Sequence, residues 1–197
     1  MLASITPLGE RSRRSRWGIT VAAFVIGSAM AGAATGTVAG ALGVPIGTIL
    51  PASIRAAALV AFIALGVLLD LRVLGVSLPS VHRQVNEQWL NRYRGWVYGV
   101  GFGAQLGTGV MTVVSTSAVY SMLASAALSA SPAWGALIGA SFGLMRGLTI
   151  LPAWRVRSPG DLVAIDGWLR RWERRASAVS AGLLSGFVVV AAMGAAR

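Results

Sequence analysis

Long apolar stretches alternate with polar ones along the whole chain, and each apolar stretch is long enough for a helix to cross the hydrocarbon core of a bilayer. Because backbone N–H and C=O groups find no partners in lipid, helix is the structure expected for each stretch. We therefore predict an all-α, polytopic membrane bundle that forms a single domain over residues 1–197. Its five spans are expected at about 17–42, 53–71, 96–128, 133–152 and 176–195.

Glycine recurs at every fourth position in four of the five predicted spans. Residues four apart share one face of a helix, so each series forms a flat stripe on which another backbone can pack closely. The pattern predicts glycine-zipper packing within the bundle. The stripes consist of Gly32, Gly36 and Gly40; Gly99, Gly103 and Gly107; Gly135, Gly139, Gly143 and Gly147; and Gly182 and Gly186.

The connections between spans are of two kinds. Short uncharged breaks at 43–51 and at Ser131-Pro132 join the first four spans into two hairpins, whereas the other two connections are long and polar. The long connections include amphipathic stretches at about 77–95 and 156–175, and both carry an acid, a Trp-Leu pair, an arginine and an aromatic residue. This similarity predicts a tandem 2+2+1 arrangement of hairpins, with chance similarity as the alternative.

The second long connection contains a helix start. Ser158 is placed to cap it, Pro159 suits the first helical position, and Asp161 lies three residues after the cap. The following residues predict an interfacial helix, either as a membrane-anchored linker or as a docking surface for a cytoplasmic partner or an acidic lipid.

Arginine placement predicts the orientation in the membrane. The net charge is +11, and fifteen of the seventeen basic residues lie at the N-terminus, in the long connections or at their edges, leaving Arg55 and Arg197 on the other side. The positive-inside rule then places the N-terminus inside and the C-terminus outside a bacterial cytoplasmic membrane. Because the charges flank apolar spans, anionic lipid headgroups are the expected partner rather than nucleic acid.

The third predicted span carries the most polar side chains, at spacings of three to four that place them on one broad helical face. Such a face can line a path for a small substrate, or it can supply hydrogen bonds between helices. A break near Gly107–Gly109 would favour the path, since it would expose backbone carbonyls. The residues of this face are Gln105, Thr108, Thr112, Ser115, Thr116 and Tyr120.

Charged residues near the spans are few. Asp70 and Arg146 occupy equivalent ends of the second and fourth spans, so they form a charge pair if the hairpins pack side by side. Alternatively, Asp70 couples to protons or cations, or is solvated, and Arg146 extends to the headgroups. The chain has no cysteine and one histidine, which predicts no metal site and no catalytic triad, and the cofactor question stays open.

Glycine-rich stretches such as Gly101–Gly107, the small size and the internal duplication resemble bacterial membrane proteins of the LysE and CcdA type. The resemblance implies a small polytopic fold and identifies no functional residue. CcdA-type proteins work through membrane cysteines, which this chain lacks.

These features predict a non-catalytic subunit or assembly factor of a larger bacterial membrane complex, which associates with partner membrane subunits or with copies of itself. The alternative is a transporter or exporter of a small solute or ion that uses the polar face of the third span. Sparse intramembrane charge favours the subunit, and an enzymatic activity is not expected.

Overall fold

The computed structural model describes residues 5–12, 15–70, 93–109 and 117–156 and five further positions between 158 and 167. This described part is helical and contains no strand. The α-helices, numbered in chain order, are α1 (Pro7–Ser12), α2 (Trp17–Leu42), α3 (Val44–Ile49), α4 (Ala52–Asp70), α5 (Gly95–Gly107), α6 (Ala118–Leu128) and α7 (Pro132–Leu148). A 3₁₀ helix follows at Leu151–Arg155.

Three helical stretches of the described part are long and apolar enough to cross a membrane: Trp17–Ile49, Ala52–Asp70 and Pro132–Arg155. The 19 residues of α4 extend for about 28 Å, close to the ~30 Å hydrocarbon core of a bilayer. The prediction of an all-helical membrane protein is thereby confirmed. The predicted span 176–195 lies outside the described residues, and so does most of the stretch at 77–95.

The helices begin and end at the signals present in the sequence. Leu50 is extended before Pro51, so α3 ends there and α4 starts directly afterwards. Ser131 precedes Pro132 at the start of α7, and its hydroxyl accepts the Trp134 N–H at 3.4 Å. The two breaks thus fall where the sequence predicts them, although the first one contains the short helix α3 and the main contacts of α4 are to α6 rather than to α2.

The predicted helix start after α7 is also present. The Ser158 N–H donates to Oδ2 of Asp161 at 2.8 Å, and the Asp161 N–H donates back to the Ser158 hydroxyl at 3.4 Å. These reciprocal bonds satisfy two backbone donors that a helix N-terminus leaves free. The Ser158 cap is confirmed, and most of the stretch that follows it lies outside the described residues.

Helix α2 lies at the centre of the bundle and packs against α5 in parallel. A Cβ atom placed at Gly99 would lie 2.6 Å from the Thr20 carbonyl oxygen, and one at Gly103 would overlap the Phe24 carbonyl oxygen. One turn further along both helices, Gly107 packs against the backbone of Ser28. Because the residue numbers of the contacting positions increase in the same direction along α2 and α5, the two helices are parallel.

On another face, α2 packs against α7 in the antiparallel sense. Gly36 lies against Gly135, and Gly32 lies against Gly139, in each case so closely that an added Cβ atom would overlap the partner's carbonyl oxygen. Gly40 continues the series against the Ser131 backbone. Glycines on both helices therefore bring the two backbones into direct contact.

Two further helices, α4 and α6, lie around these three. Helix α6 packs against α2, α7 and α4 near the C-terminal end of α2, and α4 lies on the outside with its main contacts to α6. Near the N-terminal end of α2, an apolar cluster fills the space between α1, α2, α5 and the 3₁₀ helix. This cluster consists of Ile5, Val21, Phe24, Tyr98, Phe102 and Ile150.

Candidate functional site

The third predicted span is interrupted near its middle. Helix α5 ends at Gly107, and Gly109 has a φ of +74°, a conformation that strains any residue with a Cβ atom. A Cβ atom at Gly109 would also lie 2.9 Å from a methyl carbon of Val119. Helix is described again from Ala118. The sequence left open whether the third predicted span is broken. In the structure α5 and α6 are two separate, shorter helices within it.

The interruption separates the polar residues that the sequence places on one face. Gln105 and Thr108 lie at the end of α5, where the Thr108 hydroxyl donates to the Gln105 carbonyl oxygen at 2.9 Å. Tyr120 belongs to α6, and all three side chains are half-buried. One continuous helical face from Gln105 to Tyr120 is therefore not formed, and a substrate path stays a prediction. The remaining members lie outside the described residues: Thr112, Ser115 and Thr116.

Asp70, the last residue of α4, binds the N-terminus of α6. The Ser117 N–H donates to Oδ1 at 2.8 Å and to Oδ2 at 3.0 Å, and the Ser117 hydroxyl donates to Oδ2 at 2.8 Å. A carboxylate at this position satisfies a free backbone donor and faces the positive end of the helix dipole. Asp70 is thus a capping residue supplied by a neighbouring helix.

Arg55, near the start of α4, binds the opposite end of α6. Its Nη1 donates to the Leu128 carbonyl oxygen at 2.9 Å, and Leu128 is the last residue of α6. A cation at a helix C-terminus complements the negative end of the dipole. The two charged residues of α4 therefore hold the two ends of the antiparallel helix α6, and we name this arrangement the α4 clamp.

Gly66 lets α4 and α6 approach each other beside the α4 clamp. A Cβ atom at this glycine would lie 2.9 Å from both Cβ and Oγ of Ser117. Gly66 lies four residues before Asp70 and therefore on the same face of α4. The sequence pointed to Asp70 by its charge and to Arg55 by its isolation, but it contained no signal that the two bind one helix.

Arg146 lies in α7 with its guanidinium carbon 5.5 Å from the centroid of the Phe142 ring, a cation–π distance. The side chain is half-buried. It lies between Gly143 and Gly147, which pack against α2. The contacts described for Asp70 and Arg146 do not join the two residues, and their charge pair stays a prediction.

Ser28 is a position that the sequence reading did not single out. It is fully buried in α2, and its hydroxyl donates to the Gly143 carbonyl oxygen at 2.6 Å. Its own carbonyl oxygen is the atom against which both Gly107 and Gly143 pack. The three central helices α2, α5 and α7 therefore meet at this residue. A serine beside glycines in an apolar run is the available signal, because such a hydroxyl must find a partner in lipid.

Glu10 is a second missed residue. It is fully buried in α1, where it accepts a hydrogen bond from the Thr20 hydroxyl at 2.8 Å and another from the Tyr98 hydroxyl. A buried carboxylate needs such donors because burial without them is costly. The sequence signal was weak: Glu10 is the one acid among the basic residues before the first span.

In the part of the chain that the structure describes, no group of three or more His, Cys, Asp or Glu side chains is placed to hold a metal ion. No protein-family model, curated protein or solved structure matches this chain. The resemblance to the LysE and CcdA type therefore stays a prediction, and functional conclusions depend on the chain's own geometry.

Proposed function

We propose that this protein is a non-catalytic integral membrane subunit or assembly factor of a larger bacterial membrane complex. The observation that most strongly supports this proposal is the direct backbone packing of α2 against both α5 and α7, as at Gly103 and Gly139. Helices too close to admit a methyl group also leave no room for water or a solute between them. Such a core suits a rigid scaffold better than a conduit.

Within the membrane we propose five helices in a 2+2+1 arrangement, packed as a glycine zipper in the bacterial cytoplasmic membrane. The three long apolar stretches and the glycine contacts of α2 support this arrangement. The distribution of arginines supports an N-terminus inside and a C-terminus outside. Anionic headgroups would then contact the arginine-rich side.

We propose α4 as the surface that meets a partner subunit. Its main contacts within the described part are to α6 alone, and only Ile63, Gly66 and Val67 are buried along its length. Its other sides present apolar side chains such as Phe62 and Leu65. Because the α4 clamp joins this helix to α6, which packs against α2 and α7, the exposed sides of α4 form a preformed surface for a foreign transmembrane helix.

Photocrosslinking in native membranes tests this surface. A photoreactive amino acid at Ala57, exposed on α4, is expected to capture one discrete foreign chain. The matched control places the same group at Met145, which is 68% exposed on α7. Capture from Ala57 but not from Met145 supports the proposal, whereas lipid adducts alone at both positions would overturn it.

A transporter of a small solute or ion is the second candidate, favoured by the break between α5 and α6. Interrupted helices with polar side chains can line a substrate site, and Thr108 with Gln105 lies at this break. Because the chain has no cysteine, single substitutions report water access. A transporter predicts that Thr108→Cys reacts with a membrane-impermeant maleimide while Thr37→Cys in α2 does not. A subunit predicts that neither reacts.

A further inference from the structure

Helix α2 has a third face that no described helix covers. Its other faces contact α5, near Phe24, α7, near Gly36, and, towards its C-terminal end, α6. On the third face Ile26, Met30 and Val38 are 56%, 67% and 60% exposed, and Ala34 between them is exposed as well. These residues lie four apart and form one stripe along the helix, which we name the α2 stripe.

Beside the second half of this stripe, an apolar groove of about 400 Å³ runs between α2 and α6. Ala34, Thr35 and Ala39 contribute small side chains to its wall, whereas the exposed side chains of Ile26 and Met30, earlier in the α2 stripe, are large. The groove is lined by Ala34, Thr35, Val38, Ala39, Leu42 and Leu123. A central helix with one bare face of this length offers a place for another helix of similar length.

The chain itself contains a segment of that length. Residues 176–195 are uncharged and apolar, follow Arg174 and Arg175, and have the number of residues that a spanning helix needs. Helix α2 likewise follows an arginine, Arg16. If both arginine-flanked ends lie on the same side of the membrane, as the proposed orientation requires, the segment runs parallel to α2.

We propose that residues 176–195 of the same chain cover the α2 stripe and its groove. The proposal rests on the proposed five-helix orientation. One register makes the two surfaces complementary in size. It places Gly182 beside Ile26 and Gly186 beside Met30, so that a glycine faces each large exposed side chain. In the same register Val190 enters the groove at Ala34.

Size matching of this kind favours one register, because apolar helices in lipid gain their association energy from close packing. A shift by one turn would place Val190 against Met30, two large side chains, and would leave the groove at Ala34 to Gly194. The occupant we commit to is therefore this segment. A second copy of the chain, a foreign helix and lipid are the competing occupants.

Disulfide formation tests the proposal in the full-length protein in native membranes, since the chain has no cysteine of its own. Ala34→Cys is combined in turn with cysteine at each position from 188 to 192. The disulfide should form within one chain and be strongest with Val190→Cys, because bonding requires Cα atoms within about 7 Å. The matched control pairs Val190→Cys with Met145→Cys, which lies on the exposed face of α7.

Each outcome decides the question. An intrachain disulfide that peaks at Val190→Cys and is absent from the control pair supports the proposal. A disulfide between two co-expressed chains, one carrying Ala34→Cys and the other Val190→Cys, identifies a second copy as the occupant and overturns the proposal. Equal formation at all five positions, or formation at none, also overturns it. The proposal that the protein is a subunit is tested by crosslinking from Ala57 on α4, which is a different surface. Either proposal can therefore fail while the other is supported.

Discussion

At the residue scale, Gly139 and its neighbours set the separation of α2 and α7. A Cβ atom at Gly139 would overlap the Gly32 carbonyl oxygen and lie 3.0 Å from Cα of Gly36. Both contacts are to backbone, which cannot rotate away as a side chain can. The sequence revealed these glycines by their spacing, but it could not show which helix each stripe meets.

We expect Gly139→Leu to lower the free energy of unfolding in detergent by about 1–3 kcal/mol or more, because overpacking forces the helices apart. The control is Ala136→Leu, three residues earlier in α7 at a half-buried position. Thermal unfolding followed by tryptophan fluorescence measures both variants. Equal tolerance of the two substitutions would contradict the account of the glycine contacts.

Tyr98 supports the buried carboxylate of Glu10 at the N-terminal end of α2. The substitution Tyr98→Phe keeps the ring in the apolar cluster and removes one donor to that carboxylate. A loss of about 1–3 kcal/mol is expected, since the acceptor stays buried. Tyr93→Phe is the control, because Tyr93 is 47% exposed. Identical melting temperatures for the two variants would argue against a structural role for the Glu10 cluster.

At the scale of elements, the α4 clamp explains how the 11-residue helix α6 is held in place. A helix this short cannot cross the hydrocarbon core by itself, so its position depends on contacts with its neighbours. The support comes from Asp70 at one end and from Arg55 at the other. Sequence patterns could not reveal this, because a cap supplied by another helix leaves no local signal.

Removing the cap should therefore loosen α6 specifically. We expect Asp70→Ala to cost about 1–2 kcal/mol, and Asp70→Asn to cost less because one acceptor oxygen is kept. Hydrogen exchange of peptides from α6 measures the effect, with α7 peptides as the internal reference. Faster exchange confined to α6 is the expected result. Unchanged exchange in α6 for Asp70→Ala would refute the clamp.

The elements also show where sequence reasoning succeeds. Apolar length located α2 and α4 because bilayer thickness fixes helix length, and Ser131-Pro132 marked the start of α7 because capping chemistry is local. The interruption after α5 could not be decided from the sequence because no charge marks it, whereas the end of α5 at Gly107 and the positive φ of Gly109 show it. Helix α1 was missed because it has a single buried acid and no spanning length.

At the scale of the whole molecule, α2 is the axis about which the described bundle is built. It contacts α5 in parallel and α7 in antiparallel orientation, and all three helices meet at Ser28. The core between them is closed by backbone contacts, while α4 remains largely exposed. This contrast between a closed core and an open periphery is what favours a subunit of a larger assembly over a self-contained transporter.

Native mass spectrometry of gently extracted protein, with all co-purifying chains identified, shows directly whether this chain belongs to a larger membrane complex. We expect a foreign membrane subunit in fixed stoichiometry with this chain, because α4 presents a preformed apolar surface. A monomer or a homo-oligomer alone would contradict the subunit account.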